Sequence, residues 1–177
     1  MAIRGGLRAG QLGVTLIVRD VPAAAAFYRA VLGAREIARY RGTDPVPPGE
    51  AAPDAIEMRL GDAHLLVTVE NPRWREAPRP DWPRSPESAG TTSTAFTLYV
   101  DDVDAVFAQA LAAGATRRIP TDGPEDSYWG DRVAQFLDPA GHPWRIQTRR
   151  EDIERAELPA RLAAARTTRQ LVKQAAH

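Results

Sequence analysis

The chain contains the same short pattern twice. Asp20-Val21 follows an apolar segment, begins an alanine-rich stretch and is followed by Gly33-Ala34, and the same order recurs from Asp102-Val103 to Gly114-Ala115. The two Asp-Val pairs lie 82 residues apart and the two Gly-Ala pairs 81, so one residue is gained or lost inside the helix. A duplicated supersecondary unit predicts two similar modules that pack together, with any ligand site between or inside them.

The composition excludes several classes of function. With 23 basic and 23 acidic residues among 177, the net charge offers no attraction to nucleic acid or to an anionic membrane. The absence of cysteine excludes disulfides, thiolate metal sites and a cysteine nucleophile, and is typical of a reducing cytoplasm. The apolar segments are too short to span a bilayer, and residues 1–10 lack the apolar centre of a signal peptide. We therefore expect a cytoplasmic protein that binds neither membranes nor nucleic acid.

Hydrophobic periodicity predicts the elements of each module. Apolar residues alternate with others before Asp20, which indicates a strand, and Asp20 and Pro22 suit the N-cap and first turn of a helix. Gly61-Asp62 separates two apolar segments, which indicates a hairpin. The predicted strands are 12–19, 37–40, 55–60, 64–70, 95–100, 116–119, 129–137 and 144–148, the helices are 22–32 and 103–113, residues 45–49 form a loop, and a last helix runs from Glu151 onward with Ile153, Leu158 and Leu162 as anchors.

A segment rich in proline, arginine and tryptophan separates the two copies. Residues 71–90 hold five prolines, four arginines and two tryptophans, which predicts an irregular linker. Exposed tryptophans on a flexible tether are unfavourable, so Trp74 and Trp82 should pack against something. They either cover a surface or a pocket mouth, or they anchor the linker to the outside of the sheets.

Several motifs together resemble a known family. They are the end of the first helix at 27–34, the Val-Asp-Asp-Val-Asp-Ala-Val-Phe segment that opens 100–115, Trp-Gly-Asp-Arg at 129–132 and Asp-Pro-x-Gly-His-Pro-Trp at 138–144. This combination resembles the vicinal oxygen chelate superfamily, which includes glyoxalase I, extradiol dioxygenases and bleomycin-resistance proteins, and the ending is similar to its PhnB-like branch. The resemblance covers residues 11–155.

The family resemblance implies a fold. It is an α+β fold of paired βαβββ modules that form a curved mixed sheet, with the helices on the convex side and a ligand cup on the concave side. The expected organisation is one domain over 1–177, with module one at 11–70, a linker at 71–91, module two at 92–149 and a C-terminal helical tail at 150–177.

The resemblance also implies where a metal ion would bind. Metal enzymes of the superfamily take one ligand from the first strand and one from the last strand of each module. These positions correspond to Gly13 and Ala95 on the first strands, to Arg145 on the last strand of module two, and to Leu65 or Val67 in module one. None of these side chains binds a divalent cation. We expect no metal ion and no cofactor.

The same register predicts which side chains line the cup. The residues on the same face of their strands as these metal positions are Thr15, Ile17, Thr97, Tyr99, Arg145 and Gln147. The residues on the opposite face, which should pack beneath the helices, are Val14, Leu16, Phe96, Leu98, Trp144 and Ile146. Tyr128 and Trp129 precede a strand and could stack on a planar ligand. Arg145 suits an anionic or carbonyl group of an organic ligand. The alternative for Arg145 is a structural salt bridge, for example to Asp131.

Two classes of function fit these features. The first is a metal-independent, non-catalytic binder of a small organic molecule, an antibiotic or natural product, resembling the bleomycin-resistance proteins. The second is a metal-independent isomerase, cyclase or lyase, whose general base would be one of Glu70, His64, Asp131 and Tyr99. A metal-dependent glyoxalase or dioxygenase ranks third. The resemblance implies a homodimer, and the competing arrangement is a monomer whose two modules close on each other.

Overall fold

The computed structural model describes residues 7, 9–49, 51–76, 79, 81–118 and 122–175. Its first half is a five-stranded mixed sheet with one helix on one face. The sheet order is β1-β5-β4-β2-β3, with β1 parallel to β5 and the other pairs antiparallel. The elements are β1 (Gly13–Val18), α1 (Val21–Leu32), β2 (Arg35–Arg41), β3 (Asp44–Pro45), β4 (Ala55–Leu60) and β5 (Ala63–Val69).

The connecting segment carries two short helical turns. They are a 3₁₀ helix at Pro72–Arg75 and α2 (Pro86–Ala89). Trp74 belongs to the 3₁₀ helix, and its side chain lies outside the described residues. Trp82 is half-buried, and the Arg79 guanidinium lies 5.6 Å from the centre of its ring. Both earlier alternatives for the tryptophans therefore stay open, although Trp82 does pack against a neighbour.

The second half repeats the architecture of the first. Its sheet order is β6-β10-β9-β7, with β8 also paired with β9, and β10 is parallel to β6. The elements are β6 (Phe96–Tyr99), α3 (Val103–Ala112), β7 (Thr116–Arg117), β8 (Glu125–Asp126), β9 (Asp131–Leu137) and β10 (Pro143–Arg149). The predicted α+β fold of two βαβββ-like halves is confirmed. Ile119, the last residue of the predicted strand 116–119, lies outside the described residues.

Helix α4 (Leu158–Ala175) begins later than the sequence predicted. The prediction placed helix from Glu151 onward, but residues 151–154 are not helical. The backbone N–H groups of Arg150 and Glu151 both donate to the carbonyl of Gly130 at 3.0 Å, so this stretch is held against the turn before β9. The helix starts only at Leu158-Pro159, where proline suits the first turn.

The two main helices begin at equivalent aspartate caps. The Asp20 carboxylate accepts the Ala23 N–H at 2.9 Å and the Asp102 carboxylate accepts the Ala105 N–H at 3.0 Å. Each cap satisfies a donor that the helix itself leaves unpaired. The predicted helix positions are confirmed, and so is the end of α1 at Gly33, whose φ of 72° is the left-handed conformation that glycine adopts without strain.

One hydrophobic core joins the two halves. Helices α1 and α3 contact each other, and Phe27 of α1 meets Phe136 of β9 edge-to-face at 6.1 Å. The buried Tyr28 hydroxyl donates to the Asp138 carboxylate at 2.7 Å, and burial together with the Asp138 charge raises the pKa of Tyr28, so its hydroxyl stays a donor. The predicted inner residues Val14, Leu16, Phe96, Leu98, Trp144 and Ile146 all belong to this core or pack against it.

No described helix is both long enough and apolar enough to cross a bilayer.

Candidate functional site

The second sheet aligns four of the predicted ligand residues on one face. In the parallel pair of β6 and β10, Thr97 lies beside Arg145 and Tyr99 lies beside Gln147. Side chains alternate between the faces of a strand, and the intervening residues are in the core, so these four point away from the helices. Tyr99 is 53% exposed, whereas Gln147 is buried. The face therefore combines accessible polar groups with a buried amide.

A buried carboxylate organises one end of this face. Asp131 is 1% exposed, and its Oδ2 accepts from the Tyr99 hydroxyl at 2.8 Å and from Trp129 Nε1 at 3.0 Å. Its Oδ1 accepts from Arg149 Nε. The Ser127 backbone N–H and hydroxyl donate to the Asp131 carbonyl at 2.8 and 2.7 Å, which holds the turn before β9. Three side chains on different elements are thus fixed by one carboxylate.

Arg149 balances the charge of this carboxylate. Hydrogen bonds with Tyr99, then with Asp131 and Asp152, raise the pKa of Arg149 above its ordinary value. The guanidinium lies 5.9 Å from the centre of the Tyr99 ring, a cation–π distance. Arg149 pairs with both Asp131 and Asp152, so the Asp131 carboxylate is already engaged by a cation.

Arg145 has no such partner. It is exposed and lies opposite Gln135 of β9, whose Oε1 accepts from Arg118 Nη1 at 2.9 Å. The alternative partner, Asp131, pairs with Arg149 instead. Within the part of the chain that the structure describes, Arg145 forms no ion pair.

Tyr128 and Trp129 lie at the edge of this region. Both rings are half-buried and meet edge-to-face, with centres 4.9 Å apart. The Trp129 ring is held by its bond to Asp131. A ring fixed in this way loses little freedom when a planar molecule stacks on it.

The corresponding face of the first sheet borders a separate cavity of about 620 Å³. Thr15 lines this cavity, and among the described residues neither Arg145 nor Tyr99 does. Ile17 is half-buried and its carbonyl faces His142 Nε2 at 3.0 Å. The residues that the sequence assigned to one cup are therefore divided between two sheets. The cavity is lined by Leu7, Gly13, Val14, Thr15, Gly42, Asp54, Ala55, Glu57, His64, Leu66 and Thr68.

The prediction for β5 was wrong by one residue. Leu65 and Val67 were expected to face the cup, but they are 2% and 0% exposed within the core, and Leu66 faces the cavity beside Thr15. Strand β5 lies inside the sheet and has apolar residues on both faces, so hydrophobic alternation does not reveal which of its residues face the cavity. The pairing register with β1 determines this.

Two buried polar residues, Glu70 and His142, connect separate segments of the fold. Glu70 is buried, and its carboxylate accepts from the Ser85 N–H at 3.1 Å, the Ser85 hydroxyl at 3.0 Å and the Ser88 hydroxyl at 2.6 Å. It therefore anchors the connecting segment to the end of β5. His142 joins the turn before β10 to β1 through the Ile17 carbonyl. These contacts favour a structural role for both.

Sequence reasoning missed two features of the site. Arg149 lies two residues after Gln147 on β10, on the same face as Arg145 and Gln147. The alternation of side chains along the strand would therefore have identified it. The approach of His64 to Glu57 has no such signal, because it depends on the pairing of β4 with β5.

Comparison with known proteins identifies the family. A family model described as the Glyoxalase/Bleomycin resistance protein/Dioxygenase superfamily matches residues 10–146. The chain belongs to this superfamily. An uncharacterized protein of Mycobacterium tuberculosis, Rv0887c, is 30% identical to it over 149 residues, which cover 84% of this chain and 80% of the relative.

Solved structures share the fold of this glyoxalase/bleomycin-resistance chain. TioX from Micromonospora sp. ML1 has a TM-score of 0.54 at 22% identity, covering 79% of this chain and 98% of TioX. The fosfomycin resistance protein FosX from Mesorhizobium loti has a TM-score of 0.50 at 19% identity, covering 80% of this chain and 93% of FosX. At such identities the likeness concerns the fold alone.

The residues at the superfamily's metal positions do not fit a metal ion. With the register of β5 known, these positions are Gly13, Leu66, Ala95 and Arg145. Glycine, alanine and leucine offer no ligand atom, and a guanidinium repels a cation. Among the described residues, no group of three or more His, Asp or Glu side chains is arranged to hold a metal ion.

Proposed function

We propose that this chain is a metal-independent binder of a small organic molecule, which it holds on the exposed face of β6 and β10. The observation that carries the proposal is Arg145, an exposed cation on a face whose nearby carboxylate is already paired with Arg149. A free guanidinium beside hydroxyl and amide groups suits a ligand with an anionic or carbonyl group. Thr97, Tyr99 and Gln147 would add hydrogen bonds, and Tyr128 and Trp129 would contact a planar part.

The ligand class we favour is an antibiotic or another natural product. A similar fold occurs in a fosfomycin resistance protein, and the superfamily name includes bleomycin resistance. We further propose that the protein is cytoplasmic, that it belongs to the PhnB-like branch, and that Thr15 and Ile17 contribute from the first sheet when two copies associate. The absence of cysteine and the Gly141-His142-Pro143-Trp144 segment support the first two points.

Replacing Arg145 with Met tests the proposed site. The probe is 8-anilinonaphthalene-1-sulfonate, an aromatic anion whose fluorescence rises in an apolar site. A charge-assisted hydrogen bond contributes about 1.5–3 kcal/mol, so Arg145→Met should weaken binding of this probe by tenfold or more. The uncharged analogue N-phenyl-1-naphthylamine should bind both proteins alike.

The matched control is Arg79→Met, which removes an exposed arginine paired with Asp81 in the connecting segment. It should leave the affinity for the sulfonate unchanged. If Arg145→Met binds the sulfonate as tightly as the native protein, or if it unfolds, Arg145 is structural and the site assignment is wrong.

Metal independence has its own measurement. Because the four superfamily metal positions carry no suitable ligand, elemental analysis of protein purified without chelator should find no stoichiometric Zn, Fe, Mn or Ni. Thermal unfolding should occur at the same temperature with and without EDTA, since a bound structural metal adds its binding energy to stability. An EDTA-dependent drop in melting temperature would contradict the proposal.

A further inference from the structure

One ring nitrogen of a buried histidine in the first sheet has no hydrogen-bond partner among the described residues. His64 lies on β5 and lines the cavity of about 620 Å³, and its side chain is only 5% exposed. Among the described residues, no acceptor or donor reaches its Nε2. Burying a polar nitrogen without a partner is unfavourable. The atom therefore indicates that a ligand group binds to it in the cavity.

The neighbouring carboxylate sets the geometry of that group. Glu57 Oε2, on the adjacent strand β4, lies 3.8 Å from His64 Nε2 and its side chain is 6% exposed. This separation is too long for a direct hydrogen bond. A single oxygen atom placed about 2.8 Å from each atom spans it. The negative charge of Glu57 also favours the tautomer in which Nε2 carries the proton.

These two side chains select a particular ligand group. A protonated Nε2 donates and a carboxylate accepts, so the bridging group must accept from His64 and donate to Glu57. A carbonyl or ether oxygen only accepts and an ammonium only donates, whereas a hydroxyl does both. Among the described residues no lysine or arginine lines the cavity, which disfavours an anion.

The rest of the cavity is suited to an apolar body. Leu7, Val14, Ala55 and Leu66 contribute apolar surface, and the Asp54 carboxylate is already bonded to the Gly42 N–H at 2.8 and 3.0 Å. The volume lies within the range of small-molecule pockets. We infer that this cavity is a second binding site, which takes an uncharged, largely apolar molecule by its hydroxyl group, as a phenol or an alcohol, between His64 and Glu57.

Three small aromatic probes separate the contributions. Phenol accepts and donates, anisole only accepts, and toluene does neither, while all three have similar rings. Two hydrogen bonds to buried partners should make phenol bind about tenfold more tightly than toluene, with anisole between them. Equal affinities for phenol and toluene would overturn the inference, and would leave water or a side chain as the group that meets Nε2.

Nuclear magnetic resonance locates the contact in the native protein. The chain has three histidines, and His142 serves as an internal reference because its Nε2 already faces the Ile17 carbonyl at 3.0 Å. In ¹⁵N-labelled protein, the His64 ring should show a protonated Nε2, and phenol should shift its resonances while those of His142 stay in place. An unprotonated Nε2, or shifts at His142 alone, would overturn the inference without needing any variant.

Substitution gives the final check. His64→Phe keeps a ring in the cavity, and it should reduce the preference for phenol over toluene to about twofold or less. Glu87→Gln, which alters an exposed ion pair with Arg19 outside the cavity, should keep the full preference. A preference retained in a folded His64→Phe protein would contradict the assignment. The proposed function rests on Arg145 in the other sheet. The result of the sulfonate assay is therefore independent of the results with phenol and toluene.

Discussion

At the scale of single residues, Asp131 carries more hydrogen bonds than any sequence pattern indicated. The sequence offered it as a general base or as a partner of Arg145. In the structure its carboxylate accepts from Tyr99, Trp129 and Arg149. A carboxylate whose two oxygens already accept three hydrogen bonds fixes the positions of the side chains that donate them. We therefore assign Asp131 to positioning the Tyr99 and Trp129 rings.

Replacing Asp131 with Ala should destabilise the protein. The change leaves the Tyr99 hydroxyl and the Trp129 indole N–H without their acceptor and removes the buried carboxylate that pairs with Arg149. We expect the free energy of unfolding to fall by about 2–4 kcal/mol. Chemical denaturation followed by tryptophan fluorescence measures this. Asp126→Ala is the control, because Asp126 is 77% exposed in its ion pair with Arg132 and such pairs contribute little. Similar stabilities for the two variants would refute the role given to Asp131.

At the scale of elements, the turn before β9 depends on a close backbone approach. Gly130 has a φ of 89°, and a Cβ built on it would lie 2.3 Å from the Glu151 carbonyl oxygen. The Gly130 carbonyl in turn accepts the N–H groups of Arg150 and Glu151. The segment after β10 thus packs directly on the turn that presents Trp129, and no side chain fits between them.

Gly130→Ala should therefore be far more costly than an ordinary glycine replacement. The left-handed conformation costs an alanine about 1–2 kcal/mol, and the clash adds about 1–3 kcal/mol. The matched control is Gly33→Ala, where φ is 72° but nothing lies within 4 Å of the added Cβ, so only the conformational cost applies. Denaturation midpoints compare the two, and equal losses would show that the contact with Glu151 does not matter.

At the scale of the whole molecule, the sheet faces that point away from the helices form separate surfaces within one chain. The helices and one core lie between the halves, and the cavity of the first sheet includes neither Arg145 nor Tyr99 among its described lining. Several apolar side chains also stay exposed, including Leu12 at 82% and Ile37 at 45%. A second copy would cover such surfaces and complete the binding face.

We accordingly predict a homodimer. Light scattering at micromolar concentration should give twice the 19.3 kDa mass of one chain. The mass should not depend on EDTA, because the association we propose uses no metal. A mass near that of a single chain would reject the dimer and favour the competing arrangement, a monomer whose two modules close on each other.

The sequence by itself determined the features that depend on neighbouring residues. The duplicated Asp-Val and Gly-Ala pairs located both helices, since capping and helix termination involve groups only a few residues apart. Alternation on β1, β6 and β10 separated core residues from outward ones, because each of these strands has one face in the core. The sequence therefore predicted that one face of the sheet carries Thr97, Tyr99, Arg145 and Gln147.

Only the tertiary structure decided which distant groups meet. Strand β5 has apolar residues on both faces, so its register with β1, and not its own pattern, turned Leu66 and His64 toward the cavity. Tyr99 and Asp131 are 32 residues apart along the chain, and Tyr28 and Asp138 are 110 apart. Such contacts depend on strand pairing and side-chain rotamers throughout the core, which no local pattern encodes. Tertiary structure therefore determines the partners of Asp131, the approach of His64 to Glu57 and the division of the cup between two sheets.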